Sequence, residues 1–462
     1  MEQFFKLKQR GTTVRTELVA GLTTFMVMAY IIFVNPSILS TVAGPEYQGA
    51  LLVATCVVAG LMTLLMGFWT NYPFALAPGM GINSALVALV LSNSKVGLTW
   101  QEGMAVIFLE GLFITILVLT GLRQAVMDAI PMSLKRAISV GIGLFILFIG
   151  LTDGGFVRTG EQIVNGGLVG TLTTLGVYNN LPMLVAFFGL LFTIFLMSRK
   201  VKGSLLWGIL GTTAFAMIMH YITGKPASAV PGAAEWPKQL TMGISFKTFG
   251  AGLHIGGLFT KLGPIAAILT IFAFMLSDFF DTMGTVIGIG SQAGWVDKDG
   301  RMEGLREILI VDSLAAMVGG LLGSSSATTY IESAAGVEEG GRSGLTSVVV
   351  GVLFLVCIFL APLAGIVPSE ATAPALIIVG FLMCQQIREI PFGSFEEGVP
   401  ALFTMVMMPF SWSITNGVAW GFVTYVFLKV VNGKSREVSP LLWGAAIAFV
   451  LYLIRPLFGV NV

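Results

Sequence analysis

Three acids and one amide stand in surroundings that normally exclude them. The run Phe274-Met275-Leu276-Ser277-Asp278-Phe279-Phe280-Asp281-Thr282 is apolar, yet Asp278 and Asp281 lie three residues apart and share a helical face. Thr282 and Thr285 extend that polar face by a turn. Two close carboxylates in a low dielectric cannot both ionise cheaply, so one of the pair can hold a proton at neutral pH. Glu332 follows the hydroxyl-rich, β-prone run Gly323-Ser324-Ser325-Ser326-Ala327-Thr328-Thr329-Tyr330-Ile331. Asn83 follows Pro73-Phe74-Ala75-Leu76-Ala77-Pro78-Gly79-Met80-Gly81-Ile82, through which no regular helix can run. Such groups accept hydrogen bonds from N–H donors and exchange protons.

The elements that must position them are membrane spans. The chain is 55% hydrophobic and only 11% charged, against about 25% charged in soluble domains. A net charge of +1 offers no basic excess for nucleic acid, which is excluded as a partner. A span needs about 20 apolar residues to cross roughly 30 Å of hydrocarbon. Fourteen candidates fall at about 17–39, 48–69, 77–92, 101–121, 133–152, 182–199, 203–222, 264–287, 306–322, 325–337, 343–364, 372–388, 398–412 and 415–431. The stretch 440–457 either crosses as well or lies at the interface, as Arg455 and Pro456 allow.

With fourteen spans, the clusters at Lys6–Arg15, Arg123–Arg136, Arg199–Lys202, Lys298–Arg306 and Lys429–Arg436 all fall on one side. Positive residues stay inside, so the N-terminus is expected in the cytoplasm. Segments 153–181 and 223–262 are then external and read as solvated loops. Cys56, Cys357 and Cys384 and the two histidines, His220 and His254, lack metal-ligand spacing and read as structural. No metal or cofactor is expected.

Two halves of seven spans, 1–222 and 263–432, flank the loop 223–262, with 433–462 as a C-terminal segment. An odd number per half inverts the second relative to the first, and the third span of each half is the interrupted one. Interrupted spans at matching positions of two repeats point to a transporter binding site near the midplane, where freed backbone groups face a ligand instead of lipid. Packing alone could also make them dip inward. Glu332 argues against that, because a carboxylate in a span costs about 2.5 kcal/mol or more unless it meets a cavity or a partner. Glu110 and Asp312 read at least as readily as structural hydrogen-bonding groups and are not counted as site residues.

At this point the residues resemble the adenine/guanine/hypoxanthine permeases, the AzgA-like branch of the xanthine/uracil and nucleobase–ascorbate permeases. The matching blocks are GTTVRTELVAGLTTFMVMAYIIFVNP (11–36), APGMGIN (77–83), SDFFDTMGTVIG (277–288), TTYIESAAGVEEGGRSGLT (328–346) and MPFSWSITNG (408–417). The resemblance implies an all-α polytopic, uracil-permease-like fold of two inverted repeats, with short extended segments in spans three and ten. Spans one to four and eight to eleven would form a core domain, spans five to seven and twelve to fourteen a gate domain. It implies uptake of purine nucleobases with protons, by an elevator-like core movement, often as a homodimer in a bacterial inner membrane. Residue by residue, it implies substrate roles for Asp278, Glu332 and Asn83 and proton coupling through Asp278, Asp281 and Glu332. Some relatives carry an amide at the position of Asp278.

A purine suits this chemistry. Its ring N–H groups can donate to a carboxylate beside exposed backbone N–H groups, and Phe279 or Tyr330 can sandwich the ring. Two other classes compete. An intramembrane aspartyl protease built on Asp278 and Asp312 lacks the expected Gly-x-Gly-Asp motif. A same-fold carrier of another nucleobase or a small anion is the nearer alternative, although an anion site calls for basic or neutral groups rather than acids.

Overall fold

The computed structural model describes the chain except for residues 1, 121–129, 165–166, 177–179, 230–233, 236–243, 296–301, 360–365 and 455–462. Arg123, Lys298, Arg301, Arg455 and Pro456 therefore lie outside the described residues. Helices dominate, as apolar runs must where no water can satisfy backbone N–H and C=O groups. Among the described residues eight helices are long and apolar enough to cross a membrane, or nine if Ile255–Leu262 and Pro264–Phe279, bent by 115°, count as one.

In chain order the helices are α1 (Val14–Met28), α2 (Ile31–Ala43), α3 (Gln48–Thr70), α4 (Met80–Ser92), α5 (Trp100–Thr120), α6 (Met132–Asp153), α7 (Leu181–Ser198), α8 (Ser204–Thr223), α9 (Ile255–Leu262), α10 (Pro264–Gln292), α11 (Leu305–Leu322), α12 (Ser333–Glu338), α13 (Gly344–Val356), α14 (Ser369–Cys384), α15 (Phe395–Phe410), α16 (Ile414–Val431) and α17 (Pro440–Ile454). Four strands interleave: β1 (Leu76–Pro78), β2 (Val157–Val164), β3 (Gly167–Leu175) and β4 (Ala327–Thr329). Side-chain caps set several boundaries. Thr13 accepts from the N–H of Thr16 at the start of α1, and Asn180 accepts from Met183 at the start of α7.

The helices fall into two packing groups. In one, α11 lies against α5 and α3, and α13 lies against α3 and α1. In the other, α6 packs on α14 and α15, α15 on α16, and α14 on α7 and α8. Helices α4 and α10 touch α6 across the seam, and α10 also meets α16. Glycines bring backbones together inside each group. A Cβ on Gly344 of α13 would lie 2.0 Å from the Gly67 carbonyl oxygen of α3, and one on Gly380 of α14 would lie 2.5 Å from the Gly143 oxygen of α6. Contact between bare backbones replaces the hydrophobic drive that lipid removes.

Two segments differ from expectation, and a third had two readings, both of which a helix fits. Segment 153–181 is not a plain loop: β2 and β3 pair antiparallel, Val157 opposite Leu175, with an irregularity between Arg158 and Gly160. The end of segment 223–262 is structured too, as a 3₁₀ turn at Ala251–Leu253 on α5 followed by α9. The stretch left open at 440–457 is helical as far as Ile454 and runs back along α16. Trp443 reaches the Ser435 carbonyl beyond one end of α16, whereas Tyr452 shares a cavity with Thr415 and Asn416 at the other.

Candidate functional site

The two interrupted spans meet at the centre of the molecule. β1 pairs antiparallel with β4, setting Leu76 opposite Thr329, Ala77 opposite Thr328 and Pro78 opposite Ala327. Backbone bonds lengthen this short ladder: Gly79 N–H donates to the Ser326 oxygen at 2.8 Å and Tyr330 N–H to the Ala75 oxygen at 2.9 Å. Each strand thus satisfies the other's backbone, which a lone extended segment at membrane depth cannot do for itself. Thr63 of α3 braces β1 from behind, accepting from Leu76 N–H at 2.9 Å and donating to its oxygen at 3.1 Å. Helix α4 starts directly after β1 with no side-chain cap, so its first N–H groups and the positive end of its dipole face the middle of the protein.

β4 is tied down by Asp312 of α11. Its carboxylate accepts from Thr329 N–H and from the Thr329 hydroxyl, both at 2.8 Å, and from the Thr282 hydroxyl at 2.7 Å. Thr282 and Thr328 hydroxyls also lie 2.7 Å apart. The turn leading into β4 is strained, with Ser325 at φ 72°, a left-handed conformation that costs a non-glycine residue about 1 kcal/mol or more. A close fit imposes it: a Cβ on Gly319 of α11 would lie 2.0 Å from the Ser325 oxygen.

The polar residues singled out in the sequence, and Tyr330, reach this ladder or its edge. Asp278 of α10 is fully buried, and the Ser326 hydroxyl donates to its Oδ1 at 3.2 Å. Asp281 lies on the same face one turn along, within electrostatic reach of Asp312 and Glu332. Glu332 stands between β4 and α12, and its Oε1 accepts from the Tyr30 hydroxyl at 2.7 Å. Tyr330 is buried with its hydroxyl donating to the Pro78 carbonyl, and Phe279 is buried in the main apolar core. Asn83, in the first turn of α4, donates to Asn35 Oδ1 at 2.6 Å, while the Asn35 amide donates to the Ser324 oxygen at 3.0 Å and to the Thr55 hydroxyl at 2.7 Å. Asn83 is thereby linked, through Asn35, to the backbone of the opposite extended segment.

Sequence reasoning missed several of these partners. Tyr30 and Asn35 sit on the first span, where Pro36 and the unwound step at Ala29–Tyr30 are the signals that a polar face turns inward. Glu110 of α5 is fully buried and faces Ser326 and Asp278. Thr63 carries no signal that separates it from an ordinary helical threonine. Among the described residues the one buried cation is Lys429, which is remote in chain and bound to Glu396 at 3.3 Å and Glu437 at 2.7 Å. The site is therefore built from acids, amides, hydroxyls and backbone. A separate polar cavity of about 110 Å³ opens at the far end of α4, between Ser92, Asn93, Thr270, Ser411, Thr415 and Asn416, in the seam between the two packing groups.

Known proteins share both the fold and the sequence. The transmembrane domain of the cyanobacterial bicarbonate transporter BicA superposes with a TM-score of 0.62 at 15% identity, covering 87% of this chain and 97% of that one. Murine Slc26a9, an anion transporter in the inward-facing state, does so at 0.60 and 12% identity over 90% of this chain and 68% of its own. These likenesses identify the fold, a mostly helical transporter fold. The adenine permease AdeP of Escherichia coli is 39% identical over 98% of this chain and 96% of its own. The guanine/hypoxanthine permease PbuG of Bacillus subtilis is 37% identical over 98% and 99%. Permeases are not enzymes, so the protease alternative falls away, and Asp312 is occupied in holding β4. The permease family model Xan_ur_permease matches residues 15–420, and the chain belongs to that family as a multi-pass membrane protein.

Proposed function

We propose that this protein imports purine nucleobases, adenine, guanine or hypoxanthine, by proton symport across a bacterial inner membrane. The observation that carries the reading is the β1–β4 ladder ringed by Asp278, Asp281, Glu332 and the Asn83–Asn35 pair. Relatives named as adenine and guanine/hypoxanthine permeases support the substrate class. A flat base with ring N–H donors can give hydrogen bonds to Glu332 and Asp278 and accept them from the first turn of α4. Phe279 and Tyr330 would close on its faces.

The packing group with α1–α5 and α10–α13 serves as the moving core, and that with α6–α8 and α14–α16 as the gate. The seam between them favours an elevator-like shift that carries the ladder from one side to the other. The core corresponds to spans one to four and eight to eleven of the two inverted repeats, with the N-terminus cytoplasmic and the working unit a homodimer. A potential of 100 mV supplies about 2.3 kcal/mol per translocated charge, which sustains roughly fifty-fold accumulation of a neutral base for one proton. An anion as cargo is disfavoured by the acids of the site and by the remoteness of Lys429.

The test is uptake of labelled adenine, hypoxanthine, guanine, xanthine and uracil into cells, each competed by the others, followed by uptake into proteoliposomes under imposed gradients. Purine-selective uptake driven by an inward proton gradient is expected. Accumulation that follows sodium, or that persists with an uncoupler and no other gradient, overturns the proton assignment; preference for uracil overturns the substrate class.

A further inference from the structure

Glu110 is out of place by every rule for a structural acid. It lies mid-helix in α5, fully buried, and neither carboxylate oxygen has a hydrogen-bond partner among the described residues. A buried charge of that kind is retained only when paired or functional. Glu102, on the same helix, shows the ordinary solution: it accepts from Thr99 N–H at 2.8 Å and pairs with Lys261 at 2.8 Å. Glu110 cannot withdraw from its position, because α5 and α11 are in backbone contact on either side. A Cβ on Gly111 would lie 2.3 Å from the Met317 nitrogen, and one on Gly320 would lie 2.5 Å from the Phe108 nitrogen.

What Glu110 faces is Ser326 and, beyond it, Asp278. Asp278 mirrors it, with Oδ1 taking the Ser326 hydroxyl and Oδ2 without a partner among the described residues. The hydroxyl oxygens of Ser277, Ser324 and Ser325 are buried and have no partner among the described residues either. The elements packed on α5 bring few other charges. Helix α10 contributes Asp278 and Asp281, α11 contributes Asp312 with its donors already engaged and, exposed in its first turn, Glu307 and the Arg306 that reaches the Leu119 carbonyl at the end of α5, α9 contributes Lys261 engaged with Glu102, and α4 contributes none. Beside the 3₁₀ turn, His254 bonds the Ala251 carbonyl with its Nδ1. Two acids therefore confront each other across one hydroxyl, with no buried cation beside them among the described residues, and proton binding is the inexpensive way to relieve the pair.

We propose that Glu110 and Asp278, bridged by the Ser326 hydroxyl, form the carboxyl pair that loads and releases the coupling proton, Asp278 joining that pair to the substrate it holds with Glu332. This rests on the proton-symport reading above. In the unloaded pair one carboxyl and one carboxylate share a single proton; a proton from the aqueous side converts the carboxylate to a second carboxyl, and its departure on the other side restores the first state. Ser326 transmits the change. Its hydroxyl serves Asp278 while its carbonyl accepts from Gly79 at the head of α4, and the Ser324 carbonyl beside it accepts from Asn35. The strained turn at Ser325 thus couples the pair's proton occupancy to both extended segments.

The experiment uses the full chain in proteoliposomes and separates exchange from accumulation. Hypoxanthine or adenine counterflow needs binding and core movement but no net proton flux; accumulation under an imposed 100 mV needs both. Wild-type protein that exchanges but never accumulates with a proton gradient sinks the symport reading itself. If wild type accumulates, Glu110→Gln is expected to keep counterflow while accumulation falls from about fifty-fold to equilibration. Full accumulation by E110Q overturns the proposal. Because loss of both activities would also follow from misfolding, purine-dependent thermal stabilisation of E110Q in detergent is measured beside Glu110→Asp. Accumulation restored by Asp but not by Gln supports the pair, and equal behaviour of the two variants overturns it. Wild-type accumulation that tracks sodium and is lost in E110Q places a metal cation, not a proton, at the pair.

Discussion

Asp312 and Glu110 stand on facing helices, both buried at membrane depth, and their surroundings are opposite. Asp312 on α11 receives a backbone N–H and two hydroxyls and so fastens β4. Glu110 on α5 has only the Ser326 hydroxyl beside it among the described residues, and that hydroxyl is given to Asp278. A buried carboxylate surrounded by donors is a structural fastener, since its charge is compensated in place. One without donors must be neutralised by what comes and goes. The same distinction separates Asp278, which has one oxygen served and one bare, from Glu17 of α1, whose two oxygens take the N–H groups of Arg342, Ser343 and Thr346 at the start of α13. Depth alone therefore does not mark a working acid; the balance of donors does.

Five substitutions and one stability measurement test this contrast. Asp312→Ala should have the largest effect, leaving Thr329 N–H and two hydroxyls without their acceptor, at about 3 kcal/mol or more of stability. A thermal melt of the detergent-solubilised protein by size-exclusion fluorescence checks it, and an unchanged midpoint would remove Asp312 from the fasteners. Asp278→Ala and Glu332→Ala should abolish purine uptake while leaving expression and melting temperature close to wild type. Normal kinetics in Glu332→Ala would show that this acid does not hold substrate.

Asn83→Ala severs the link to Asn35 and should weaken purine affinity by about tenfold, or 1.4 kcal/mol, with a smaller effect on expression. Equal affinity in binding titrations would assign Asn83 to packing alone. Tyr30→Phe deletes one hydroxyl bond to Glu332 and should cost about 1 kcal/mol, read as a several-fold rise in KM. The smallest change is expected in the melting temperature of Glu110→Leu. Replacing an acid that lacks donors by an apolar side chain should leave stability equal or higher, and a large drop in that variant would mean Glu110 is a fastener after all.

Much of the architecture was legible in the residues themselves. Apolar run length, the prolines and glycines of 73–81 and the hydroxyl run 324–329 determine where helices can and cannot form, because those are local properties of backbone and solvent. The acids at Asp278, Asp281 and Glu332 were conspicuous for the same reason: a charge in a hydrophobic run is visible without a partner. Hairpin β2–β3 was hidden, since alternation in a segment of mixed polarity resembles a loop until its two strands are seen to pair.

Tertiary structure alone decided who meets whom. Leu76 and Thr329, Tyr30 and Glu332, Asn35 and Ser324 are brought together from opposite halves of the chain, and no local pattern encodes a contact of that range. It also decided the difference between Asp312 and Glu110, which look alike in sequence, each a lone acid in an apolar span. Whether a carboxylate fastens or switches depends on donors supplied by other helices, and those are fixed only when backbones come into contact at the glycines of α5, α11, α3 and α13.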